Sequence, residues 1–167
     1  MKKNILTLFT VIITLFSNST IYAQDLTGTK APNFEFTDIN GNIISTENTV
    51  NKVVVLNFWF VGCAPCLKEI PELNEIYDTY KDTSDVVFAS ITYDDLKKVK
   101  KNLNKYNFKY PIITNAKETC DLFQINGYPT NIVIDKKGEI FFTFTGGFSG
   151  IGKVVSKSIQ RALEIDD

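Results

Sequence analysis

The sequence predicts an α/β domain in which a central mixed β-sheet is flanked by helices, with a β-hairpin added on its N-terminal side. Three observations carry that expectation. Residues 53–56 (Val-Val-Val-Leu) and 85–92 (Asp-Val-Val-Phe-Ala-Ser-Ile-Thr) are nearly continuous apolar, β-branched runs, as expected of strands covered on both faces. Helical spacing follows each of them: Leu67, Ile70, Leu73, Ile76, Tyr77 and Tyr80 after the first, Leu96, Val99 and Leu103 after the second. A strand–turn–strand pattern comes late in the chain, so parallel and antiparallel pairings meet in one sheet.

In chain order, residues 1–23 read as a signal peptide. Met1-Lys2-Lys3 is a basic start, Ile5 to Phe16 a short apolar stretch, and Ser17 to Ala23 a more polar end. The apolar stretch is short of the roughly 20 residues that span a membrane, and an uncleaved N-terminal anchor is the alternative. No cysteine follows it, which argues against a lipoprotein anchor. Export would place the chain in an oxidising, extracytoplasmic or periplasmic setting. Residues 24–30 read as a linker and residues 31–167 as one domain, long enough for a substantial core. Residues 31–36 alternate into a short strand, Asn40-Gly41 is a hairpin turn, and residues 43–45 return.

Residues 52–60 form the central strand and 64–80 the helix after it, with a further strand at 85–92 and a lysine-rich helix at 94–106. A short extended piece at 110–114 and a short helix at 117–123 precede the strand at 131–135. Lys136-Lys137-Gly138-Glu139 turns into its partner at 140–145, and residues 151–165 close as an amphipathic helix.

Composition excludes several functions. The formal net charge is −1, so no basic field points to nucleic acid, and membrane contact is expected only through an uncleaved N-terminus. The run Lys97-Lys98-Val99-Lys100-Lys101 reads as the solvated face of its helix. Histidine is absent, which removes Ser-His-Asp and Cys-His catalysis and histidine metal sites. Three cysteines are too few for a disulfide scaffold.

Cys63 and Cys66 sit where the central strand ends and the helix begins. A helix N-terminus carries unsatisfied N–H groups and about half a positive charge, so a thiolate there is stabilised and becomes a nucleophile. Positions three apart share one face of a first turn, where two thiols can close a disulfide. Pro65 fits that turn because its missing N–H would have no helical partner. A structural disulfide and a zinc site are the other readings. Zinc wants four ligands, and only Cys120 remains as a further sulfur, so no metal and no cofactor are expected.

Trp59, the Cys63-Ala64-Pro65-Cys66 core and Pro71 resemble the thioredoxin superfamily. The Phe58-Trp59-Phe60…Cys-x-x-Cys-x-x-Glu69-x-Pro71 version is similar to its exported TlpA/ResA-like branch. Ala31-Pro32-Asn33-Phe34-Glu35-Phe36 with Asn40-Gly41 resembles the hairpin shared by that branch and the peroxiredoxins. The resemblance implies a thioredoxin fold for residues 31–167. It also implies thiol–disulfide exchange with protein thiols and disulfides, usually as a reductant fed by a membrane-bound donor, in some members for cytochrome c maturation.

On that resemblance Cys63 is the nucleophile, expected to be the more exposed, and Cys66 the resolving thiol. Gly127-Tyr128-Pro129-Thr130 resembles the family's cis-proline segment, which packs beside the cysteines and pairs with an extended substrate through the residue before the proline. Tyr128 and Pro129 are therefore expected at the substrate, with Trp59 as a further contact or a packing residue. Glu69 resembles the glutamate that modulates the cysteines' ionisation, against the bland reading of a solvent-facing first-turn acid. Asn57 departs from the buried aspartate of thioredoxins and cannot take a proton, which leaves Glu69 as the acid at hand. Gly62 departs from thioredoxin's second tryptophan. Cys120 reads as a buried free cysteine, with a third redox thiol as the alternative.

Two other functions remain open on the sequence. A peroxiredoxin-type peroxidase would need threonine or serine three residues before its reactive cysteine, and Phe60 stands there. A non-catalytic thioredoxin-fold binding module would keep the disulfide only as a staple.

Overall fold

The computed structural model describes residues 26–165. The signal-peptide reading lies outside the described residues. Among those residues no helix is long and apolar enough to cross a membrane.

The antiparallel hairpin β1 (Glu35–Thr37) and β2 (Ile43–Ser45) comes first and forms a sheet of its own. The central strand β3 (Val53–Trp59) leads into α1 (Ala64–Tyr80), followed by β4 (Val86–Thr92), α2 (Leu96–Tyr106) and β5 (Ile112–Ile113). Then come α3 (Lys117–Leu122), β6 (Thr130–Ile134), β7 (Ile140–Thr145) and α4 (Ile151–Leu163). The main sheet has the order β5-β4-β3-β6-β7. Strand β3 pairs in parallel with β4 and antiparallel with β6, so the sheet is mixed as the sequence predicts.

Every residue of β3 is buried, because both faces are covered. Val53 and Val55 point to the layer made by α1 and α4, where Leu73, Ile76, Val155 and Ile159 complete a core. Val54, Leu56 and Phe58 point the other way, to Phe36 and Ile44 of the hairpin and Cys120 of α3. Strand alternation therefore sends Asn57 and Trp59 to the α1 side. Helix α2 adds Val99 and Tyr106 beside Trp59 and Ile70 of α1.

Two expectations shift. Residues 31–34 are not strand: the Phe34 N–H donates to Thr46 Oγ1 and its carbonyl accepts from Thr46 N–H, and Pro32 has no N–H for a ladder. Residues 26–30 are less a linker than a strap. Gly28 N–H donates to the Ile140 carbonyl, Ile140 N–H to that of Thr29, and Lys30 bridges Glu139.

Helix α4 begins at Gly150, which has no side chain to cap it. The cap comes from α1: the Glu72 carboxylate accepts from Gly150 N–H at 3.0 Å and Gly152 N–H at 2.8 Å. A Cβ at Gly152 would stand 2.9 Å from Glu72 Cβ, so the two helices meet here with no room for a side chain. Removing a cap of this kind costs about 1–2 kcal/mol. Glu72→Ala is expected to lower the free energy of unfolding by about that amount in urea titration while leaving the slope with denaturant unchanged.

Candidate functional site

Cys63 and Cys66 are joined by a disulfide at the N-terminus of α1, with their Cα atoms 5.3 Å apart. Cys63 is the N-cap of the helix, and its Sγ accepts from the Cys66 N–H at 3.2 Å. A helix N-terminus and its dipole are the kind of surroundings that favour a thiolate over a thiol. The expected contrast in exposure does not hold: Cys63 is 3% exposed and Cys66 1%, because the oxidised pair packs against Trp59, Ile70 and Tyr128. Cys120, a free cysteine, is buried in the other core with Phe58 and Phe123, so no third sulfur shares a cluster with the pair.

The turn from β3 to α1 is pinned from α2 and the segment before it. Asp94 Oδ2 accepts from Val61 N–H at 2.6 Å and also ion-pairs with Lys98 through Oδ1. Tyr106 Oη accepts from Gly62 N–H at 2.5 Å. Gly62, the departure from thioredoxin's second tryptophan, has φ +110°, a conformation that L side chains rarely adopt and that glycine takes without strain. Sequence reasoning missed Asp94 and Tyr106. Their roles depend on tertiary contact, and the only local signal was an aspartate at the end of a strand.

Glu69 is the central finding of the site. Its carboxylate is 2% exposed, so the solvent-facing alternative is set aside. One face of α1 presses it onto the middle of the sheet, where Asn57 of β3 and Asn131 of β6 are direct cross-strand neighbours. Asn57 Nδ2 donates to Glu69 Oε1 at 2.8 Å, and Asn131 Nδ2 donates to Oε1 at 3.2 Å and Oε2 at 3.3 Å. Burial is the largest influence and pushes the Glu69 carboxyl up to about 7. The two amides oppose it, and the charge of Glu72 adds to it. Asn131 escaped the sequence reading, although an asparagine within Thr-Asn-Ile-Val-Ile was a signal that a fully buried strand carries a polar partner.

On its other side Glu69 lines a cleft of ≈370 Å³ formed with Pro65, Lys68, Glu72, Gly147 and Phe148. Gly147 closes over the active turn, where a Cβ would lie 2.8 Å from Pro65 Cβ.

The Tyr128–Pro129 peptide is cis, and Tyr128 is half-buried against the cluster that holds the cysteines. Its ring meets Phe60 at 5.4 Å and Tyr93 at 5.6 Å between centroids. Burial pushes the Cys120 thiol up, and the neighbouring Tyr128 side chain opposes it. Trp59 does not join this surface. Its indole is 0% exposed, wedged 4.7 Å from the rings of Tyr106 and Phe108, so the expected substrate contact is corrected to packing. Among the described residues its buried Nε1–H has no acceptor.

The profile of the AhpC/TSA family matches residues 27–143. Thiol-disulfide oxidoreductase ResA from Bacillus anthracis is 32% identical over 151 residues, covering 84% of this chain and 87% of the relative. ResA from Geobacillus kaustophilus is 29% identical over 157 residues, covering 93% and 85%. Among solved structures, a thiol:disulfide interchange protein of the thioredoxin family from Chlorobium tepidum superposes with a TM-score of 0.70 at 26% identity. That superposition covers 84% of this chain and 99% of the other.

A carboxyl near 7 in the fold and near 4.5 when unfolded binds its proton more tightly in the native state. Its contribution to stability is therefore fully present below about pH 4.5 and falls as pH rises to about 7, by roughly 3 kcal/mol in all. Glu69→Gln is expected to flatten that part of the stability–pH curve in denaturant unfolding of the oxidised protein. An unchanged slope would contradict the assignment.

Proposed function

The chain belongs to the AhpC/TSA family and is a thiol–disulfide oxidoreductase; we propose that it is exported and works as a reductant of protein disulfides through Cys63 and Cys66. The observation that carries this reading is a disulfide that caps helix α1, with an acid of raised pKa buried one turn behind it. Both sulfurs belong to one helix end, and Glu69 stands three positions beyond Cys66 on the same face.

In the proposed cycle the Cys63 thiolate attacks one sulfur of a substrate disulfide. That S–S bond breaks, the leaving sulfur departs as a thiolate that takes a proton from solvent, and a mixed disulfide forms. Cys66 then loses its proton to the Glu69 carboxylate and attacks Cys63 Sγ. The second substrate sulfur leaves as a thiolate, the Cys63–Cys66 disulfide forms, and the thiolate takes a proton from solvent, to which Glu69 returns its own, giving a dithiol substrate. Two electrons and two protons from a membrane-bound donor return the enzyme to its dithiol form. A carboxyl near 7 suits the middle step, because it is charged in about half of the molecules at neutral pH and so can both take and return a proton. The cleft beside Glu69 gives that proton a way to solvent.

The loop at half-buried Tyr128 and buried Pro129 is where an extended substrate would lie, with Phe60 and the exposed Tyr93 beside it. The peroxidase alternative needs a hydroxyl where Phe60 stands. Phe60 instead stacks on Tyr93 and supplies nothing to polarise a peroxide. Export rests on the reading of residues 1–23. A place in cytochrome c maturation rests on the branch resemblance.

Insulin reduction with dithiothreitol as donor tests the cycle. Cys63→Ala is expected to abolish the activity, and Cys66→Ala to accumulate a mixed disulfide visible on a non-reducing gel. Glu69→Gln should lower the rate by about two orders of magnitude near pH 7, the low end of what a positioned proton acceptor contributes. Full activity in Cys63→Ala would end the proposal.

A further inference from the structure

The polar network around Glu69 has a direction. Tyr110 Oη donates to Asn57 Oδ1 at 3.3 Å, which turns the Asn57 amide so that its Nδ2 faces away from the tyrosine. That Nδ2 donates both to Glu69 Oε1 and to Asn131 Oδ1, the latter at 3.0 Å. The bond to Oδ1 in turn orients Asn131, whose Nδ2 is left to face the carboxylate. Each amide oxygen is thus committed to a donor inside the network, and Glu69 meets donors alone. Tyr110, Asn57 and Asn131 are all buried, so water does not reshuffle these bonds.

A carboxylate accepts hydrogen bonds on both oxygens, but a protonated one needs an acceptor for its own O–H. The cradle offers none. Oε1 already takes two bonds, the shorter at 2.8 Å, while among the described residues Oε2 takes one, at 3.3 Å. The other titratable or charged groups around Glu69 are Cys66 and Glu72 on α1, Lys68 at the rim of the cleft, and Tyr110 within the network. The side of Glu69 away from these donors is the cleft it forms with Pro65, Lys68 and Gly147, one helical turn from Cys66.

We propose that Asn131, aligned by Asn57 and Tyr110, is a positioning residue that presents only donors to Glu69 and so leaves Oε2 as the oxygen that takes and releases the proton. The inference deepens the reading of Glu69 as the proton acceptor of Cys66 and rests on it. The proton passes from Cys66 Sγ to Oε2 as the Cys66 thiolate forms, and leaves Oε2 for solvent through the cleft. No electron moves in this step. Asn131 acts through Glu69 and does not touch the sulfurs' chemistry itself.

The test is carbon-13 NMR of the full-length reduced protein, labelled at glutamate Cδ and cysteine Cβ. Asn131→Leu keeps the shape of the side chain and removes its donors. The Glu69 titration is expected to move up by about one pH unit, a tenfold change in the ratio of charged to neutral carboxyl. The Cys66 titration should move with it in Asn131→Leu but not in the Asn131→Leu, Glu69→Gln double variant. A Glu69 titration unmoved by Asn131→Leu overturns the proposal, as does a Cys66 shift that persists without Glu69. Should Asn131→Leu fail to fold, the wild type decides: the Asn131 side-chain amide resonance must follow the Glu69 titration, and one that stays fixed overturns the proposal. These readouts need no turnover. If Glu69→Gln leaves the Cys66 titration of the otherwise wild-type protein unchanged, the proton-acceptor role fails while the Glu69–Asn131 coupling still stands or falls on its own measurement.

Discussion

A carboxylate pressed between a helix and the centre of a sheet is the constraint to which the rest of the structure answers. Water stabilises a carboxylate far better than a protein interior does, so burying Glu69 is unfavourable unless its oxygens are met by donors. Helix α1 fixes where the carboxyl lies, because position 69 faces the sheet one turn after Cys66. The sheet must then supply the donors, and it does so from two antiparallel neighbours in register, Asn57 and Asn131. These bonds do not win outright. Desolvation remains the larger influence, and the carboxyl settles near 7. A fully compensated carboxylate would stay ionised at neutral pH and could not hold a proton, whereas an uncompensated one would stay neutral and could not take one.

The cysteines depend on the same junction from the other side. Their backbone is held by groups outside α1: the Asp94 carboxylate on Val61 N–H and the Tyr106 hydroxyl on Gly62 N–H. Trp59 fills the space beneath, between the rings of Tyr106 and Phe108. The turn is therefore fixed by a hydrogen bond on each of two successive residues before Cys63. With the turn so held, the Cys66 N–H lies 3.2 Å from Cys63 Sγ in the oxidised pair.

The sequence carried the local half of this arrangement. The 3.6-residue period places α1 at 64–80, the same bounds the fold shows, and β-branched runs place β3 and β4 within a residue at each end. The Cys-x-x-Cys at a strand–helix boundary was legible because both its strand and its helix are. What was not legible required knowing which strands lie side by side. Asn57 and Asn131 are 74 positions apart, and nothing local in either strand shows that their amides meet. The exposure of Trp59 and Cys63 was misjudged for a related reason. Strand alternation gives the face on which a side chain lies, but that face is covered by long-range packing of Val99 and Tyr106 from α2 and of Phe108 after it.

Asn57 now has a physical account. It stands where thioredoxins bury an aspartate, and in this fold its amide lies 2.8 Å from a carboxylate oxygen supplied by the helix. An aspartate there would put two carboxyl groups in one buried site. Like charges at that distance cannot both ionise, so one would be held neutral far above its usual range. Among the described residues no cation hydrogen-bonds to this network, whose other members are Asn131 and the Tyr110 hydroxyl. An acid on the strand and an acid on the helix therefore exclude one another at this site. Once the carboxyl comes from α1, the strand position must be a neutral group that can donate to it and accept from Tyr110. Asparagine meets both demands with one short side chain. Glutamine would carry the amide one methylene further into a packed core, and a hydroxyl would donate one hydrogen bond where Asn57 donates two. The departure at position 57 and the burial of Glu69 are one structural choice, read at its two ends.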